Sequence, residues 1–371
     1  MPSDEPPETP GLPLPQRAPR VGARTAALRS GLPFGAVMAT AAASALAQRC
    51  GLPQLFRPLL GLAILQAGWI TAVGIVRHRG DFRAGWRAWW ALGPVHEHSG
   101  IHTIPLGLAM IASGLLGISD AVVTRGTVPL AQFCLSAAWI TAVIAVGRFF
   151  AALTARDVDL HALDGSWFLV PAVLLGGAIA TDRLATRLGG PSARVLWVFA
   201  TGSALIGWAG YGVLAIVALI RIRRHGLGGA PRSLWWIVMG CAGLAAAALS
   251  QVLRSRPLAT LPSAWLSVAI LLSVSVAIVL AVPVLALSTK FLLRQCTFRA
   301  AGSWPPTFST AVLSFGAMQA GAVWRAPMLT AIGQGAAYAA LIFWIVTAVW
   351  NVARAWRGRG DNASAPSSLV P

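Results

Sequence analysis

Fixed charge is scarce in this chain. Asp, Glu, Lys and Arg make up 11% of its 371 residues, against roughly 25% in an average soluble domain. Lysine is nearly missing: Lys290 stands alone among 29 basic residues, the rest being arginine. That bias, with many Ala and Gly, fits a GC-rich bacterial genome. The four cysteines, Cys50, Cys134, Cys241 and Cys296, are widely spaced and form no CxxC pair, which points away from a disulfide framework or a zinc site. Cys134 and Cys241 fall in apolar runs, where a buried thiol is a small apolar side chain. No GxxxxGK(S/T) phosphate loop occurs, so ATP hydrolysis of that type is excluded. The first 30 residues have no apolar core of the signal-peptide kind. Asp4, Glu5 and Glu8 come early, arginines come late, and proline recurs throughout. Residues 1–30 therefore read as a disordered cytoplasmic tail, and 357–371 read the same way.

What the chain has in abundance is apolar sequence. Apolar residues make up 56% and the mean hydropathy is +0.69. They gather into ten blocks, at about 33–47, 59–76, 101–118, 129–147, 167–181, 195–220, 233–250, 262–289, 305–324 and 328–353. The longer blocks can cross a hydrocarbon core of roughly 30 Å as a helix. Lipid offers the backbone no hydrogen-bond partner, so a helix is the form an unclosed segment takes there. The expected fold is an all-α membrane protein, with one ten-helix transmembrane domain over 31–356.

The net charge of +18 raises nucleic acid as a partner, but its distribution excludes it. The basic residues sit a few per loop instead of on one face. With the N-terminus inside, the tails and even-numbered loops hold twenty Lys and Arg, and the opposite side holds nine. The positive-inside rule then gives a multi-pass protein of a bacterial plasma membrane with both termini cytoplasmic. The lipid bilayer is its expected partner.

Odd blocks are mostly shorter, rich in Gly, Ala, Ser and Thr, and carry proline near their starts: Pro33, Pro105, Pro171, Pro305 and Pro306. Even blocks are longer and more apolar. Proline four or five residues into a span, as at Pro105 and Pro171, removes a backbone hydrogen bond and bends a helix. The alternation suggests five helical hairpins, each with a kinked inner helix and a straighter outer one. Membrane helices in general also use more Gly and Pro, so the pattern alone leaves both readings open.

Several local motifs carry a resemblance. The run Pro33-Phe34-Gly35-Ala36-Val37-Met38-Ala39-Thr40 opens the first block. Val95-His96-Glu97-His98 leads to Pro105, Trp167-Phe168-Leu169-Val170-Pro171 opens the fifth block, and Ser314-Phe315-Gly316 lies in the ninth. Their order along ten spans, from about Leu32 to Arg354, resembles the tellurite-resistance/dicarboxylate transporter family, which includes the slow-type anion channels of plant guard cells. The resemblance implies five inner, odd-numbered helices around a central pore and kinks at the prolines. It also implies a phenylalanine plug in the ninth helix, here Phe315, and a homotrimer with one pore per protomer. Plant members have proline where this chain has Gly316.

Block nine is dense in hydroxyls: Thr307, Ser309, Thr310 and Ser314, with Gln319. Hydroxyls can donate to an anion without trapping it, and equally can bond between helices. With the resemblance, Thr40, Ser113, Thr310 and Ser314 are expected to line the pore and Phe315 to gate it. No charge stands at mid-span in an inner block, which argues against a proton-coupled pump built on buried carboxylates. Two clusters keep a metalloenzyme open as an alternative: His96, His98 and His102, and Asp157, Asp159, His161 and Asp164. An interfacial loop accounts for the first. Asp164 as an N-cap accounts for part of the second. The expected function is passage of a small inorganic or organic anion through a channel or exporter. A secondary carrier of dicarboxylate, sulfite or tellurite-like oxyanions is the alternative within transport. No enzyme activity, cofactor or metal is expected.

Overall fold

The computed structural model describes residues 32–78, 102–118, 121–155, 163–226, 235–255, 262–295 and 304–363. The N-terminal tail, His96, His98, Asp157, Asp159, His161 and the last eight residues lie outside them. The described residues form ten α-helices and no strand. They are α1 Leu32–Arg49, α2 Pro53–His78, α3 Thr103–Leu116, α4 Ala121–Ala155, α5 Leu169–Leu188, α6 Gly190–His225, α7 Trp236–Ser255, α8 Ser263–Gln295, α9 Trp304–Trp324 and α10 Pro327–Ala363. A 3₁₀ turn, Gly165–Phe168, leads into α5, and Asp164 caps it: its carboxylate accepts from the Ser166 amide at 2.9 Å. The cap expected from the sequence is therefore present.

Seven helical stretches are long and apolar enough to cross a membrane. Burial separates them into two kinds. In the α5 stretch 83% of the most apolar window is buried and in α7 89%, whereas in α10 the share is 22%. The outer helices turn large apolar side chains outward: Trp69 is 73% exposed, Phe133 71% and Val282 71%. In water such a surface would drive association; against lipid it is matched to its solvent. The small inner residues have the opposite use. They let backbones approach where no hydrophobic force between helices is available in lipid.

Each odd helix packs on the even helix that follows it, which makes five hairpins. The odd helices also pack on one another in the order α1, α3, α5, α7, α9 and back to α1. That closed ring, with the even helices outside it, is the arrangement the alternation of blocks implied.

The prolines sit differently from the expectation. Pro105 is the third residue of α3 and Pro171 the third of α5. Pro105 thus stands in a first turn, where the missing N–H has no intrahelical acceptor to lose, whereas Pro171 is the seventh residue of the continuous helical stretch Gly165–Leu188, where the 3₁₀ turn passes into α5. Proline within a helix body is also found in α2, α4 and α8, at Pro58, Pro129 and Pro283.

The tightest seam of the ring joins α7 to α9. A Cβ on Gly316 would lie 2.5 Å from the Gly243 carbonyl oxygen, and one on Gly243 would lie 2.7 Å from Leu313 Cα. This contact gives Gly316 a reason of its own: backbone meets backbone, so no side chain can yield. Gly316→Ala is expected to destabilise the protein by about 1–3 kcal/mol through overpacking, read as a lower melting temperature in detergent. An unchanged melt would show that the seam opens freely.

Candidate functional site: an arginine collar beside Phe315

The inner helices all end at the same side of the ring, and their last turns are tied together. From α1, Gln48 Nε2 donates to the Gly117 carbonyl just past α3. From α5, Arg183 Nη1 donates to the Ser113 carbonyl at 2.8 Å. Arg187 donates to the Leu116 carbonyl at 3.1 Å and to the Ile118 carbonyl at 3.0 Å. Asp182 of α5 lies within electrostatic reach of Arg183 beside it and of Arg254 on α7. Arg254 Nη2 of α7 donates to the Gln319 carbonyl of α9 at 3.3 Å. Between α9 and α1, the guanidinium of Arg49 lies over the Phe315 ring, 4.9 Å from its centroid.

The local reason is clearest at the end of α3, whose last carbonyls Arg183 and Arg187 reach. The last carbonyls of a helix have no intrahelical donor, and the helix dipole is negative there. Arginine satisfies both: its planar fork reaches several acceptors and keeps its charge. The charges also act across the ring. Arg49 feels both Arg183 and Arg254, and Asp182 feels the same two arginines. Within the ring α1 packs mainly on α3 and α9, not on α5 or α7. Arg49 therefore lies close enough to Arg183 and Arg254 for their charges to oppose one another.

Phe315 lies beside Arg49. Its neighbours in sequence fix the orientation. Ser314 Oγ donates to the Gly333 carbonyl of α10 at 2.6 Å, so it faces the outer helix. Gly316 faces α7. Successive residues turn by about 100°, which directs the Phe315 ring to α1, where Arg49 meets it.

Two of the hydroxyls expected to line a pore, those of Thr40 and Ser314, bond the outer helix α10. Thr40 accepts a hydrogen bond from Trp344 Nε1 of α10 at 3.0 Å. Ser314 also bonds α10, and Thr310 donates to the Pro306 carbonyl of its own helix at 2.8 Å. Ser113 contributes its carbonyl to Arg183. The structure thus brings Ser113 and Phe315 to the collar and turns Thr40 and Ser314 toward α10. The arginines were missed as site residues because the apolar blocks end at the first charge. Block five closes at 181, while α5 continues through Asp182 and Arg183 to Leu188.

His102 is fully buried before α3 and meets Phe149 edge to face, with ring centroids 6.0 Å apart. Asp164 caps its turn. Among the described residues no group of three His, Cys, Asp or Glu side chains could hold a metal ion.

A family model described as a voltage-dependent anion channel matches residues 33–352. No curated protein matches the chain.

If Thr40 binds α10 and not an anion, Thr40→Val is expected to cost about 1 kcal/mol, the usual size of an interhelical hydrogen bond in a membrane. Anion current through the purified variant should stay within twofold. A larger loss of current at unchanged stability would return Thr40 to the conduction path.

Proposed function

Because the chain belongs to the voltage-dependent anion channel family, matched over residues 33–352, we propose that it conducts small anions passively along the axis enclosed by α1, α3, α5, α7 and α9, with Phe315 as the gate. The observation that carries this reading is Arg49 stacked on Phe315 beside Arg183 and Arg254. Four arginines at one rim, with Asp182 the carboxylate among them, make that mouth attractive to anions and repellent to cations. Next to them a phenyl ring excludes water and raises a desolvation barrier to any ion.

The chain is read as a plasma-membrane protein with cytoplasmic termini, and the collar supports that orientation. Arg49, Arg183, Arg187 and Arg254 are four of the nine basic residues on the far side, and they lie within helices. The loops there are poorer in positive charge than the sequence count implied. A homotrimer built through the outer helices completes the reading. A periplasm-only signal from a reporter fused after Ala363 would reverse the orientation.

The test of the gate is Phe315→Ala. It removes the plug, and the polar surroundings allow the gap to hydrate. Conductance in planar bilayers should rise at least tenfold with size-exclusion profile and melting temperature largely kept. Unchanged conductance with a stability loss of about 3–5 kcal/mol, as expected for a packing phenylalanine, would refute the gate.

A further inference from the structure

We infer that Arg49 is the docking group for the transported anion and, at the same time, the latch that holds Phe315 closed, so that the arriving anion loosens its own gate. The inference rests on Phe315 being the gate and adds how that gate is released.

Three observations meet at this residue. First, the collar ties α1 to α3, α3 to α5 and α7 to α9 through hydrogen bonds to carbonyls. The α9–α1 tie at this rim is instead a guanidinium on an aromatic face. Second, the neighbouring cations are already engaged. Arg183 and Arg254 donate to Ser113 and Gln319, and Asp182 balances both. Among the described residues Arg49 has neither a hydrogen bond nor a carboxylate partner, only the Phe315 ring and the repulsion of Arg183 and Arg254. Third, a guanidinium carbon set over the ring still belongs to a group with five N–H donors. Those donors can grip a small anion, a carboxylate or oxyanion with two parallel bonds.

Coupling follows from the nature of the contact. A cation–π attraction depends on positive charge above the ring. An anion seated on the Arg49 donors offsets that charge, so the ring is held less firmly. Linkage makes the effect reciprocal: the unlatched ring leaves Arg49 a better anion site. Conductance should therefore rise more steeply than in proportion to anion concentration.

The experiment uses the purified whole chain in planar bilayers with chloride as the probe anion. Arg49→Gln and Arg49→Lys are each made with Phe315 present and in the Phe315→Ala background. With Phe315 present, Arg49→Gln removes the latch, and conductance at low chloride should rise about fivefold, the usual weight of a partly exposed cation–π contact. Its dependence on chloride should fall to simple proportion. In the Phe315→Ala background only the docking charge is left to lose, so Arg49→Gln should lower conductance at least twofold. Arg49→Lys keeps charge and loses the flat stack. It should raise conductance with Phe315 present and lose less than the Gln variant without it, and it carries the test if the Gln variant fails to insert. This reversal of sign is the signature of a latch. A fall in both backgrounds would leave Arg49 a mere attractor and overturn the latch while the gate stands. Failure of Phe315→Ala itself to raise conductance would overturn the gate, and the latch with it.

Discussion

Five helices that end on the same side of a ring pose an electrostatic problem, and the solution organises this molecule. Each end carries carbonyls without donors and roughly half a negative elementary charge from the aligned peptide dipoles. Unanswered, such a rim would repel anions, and its carbonyls would lack partners. Arginines in the last turns answer both needs. Arg183, Arg187 and Arg254 bond the carbonyls of neighbouring helices. With Arg49 they turn a negative rim into a positive one. The same side chains that close the helix ends thus set the sign of the mouth.

The division into inner and outer helices follows from the solvent each set meets. The outer set faces lipid with large apolar side chains such as Trp69, Phe133 and Val282. The inner set faces protein, so Gly, Ala and Ser serve it better. Two hydroxyls then fasten the layers: Thr40 and Ser314 both bond α10.

This explains which parts were readable in the amino-acid order. Hairpins and their inner helices were legible because side-chain size and apolarity alternate block by block. The family was legible through ordered motifs such as Trp167 to Pro171. The collar was not legible, because a hydropathy reading ends a span at its first charge and assigns Asp182, Arg183 and Arg254 to loops. Hydroxyl direction was also hidden: composition shows that Thr40 is polar, but not that it turns outward to Trp344. Pro105 looked interior because its block, read from hydropathy, begins two residues before α3 does.

The seam between Gly243 and Gly316 bears on how anything beside it can move. Main chain rests on main chain there, so α9 cannot roll or slide against α7 without tearing the ring apart. Ser314 pins the opposite face to α10. Between these two anchors the part left with freedom is the phenyl ring itself, swinging about two side-chain torsions. The gate proposed at Phe315 would then have a rigid seat and a flap the size of one side chain, and its opening would leave the wall standing, at the speed of rotamer exchange instead of helix rearrangement.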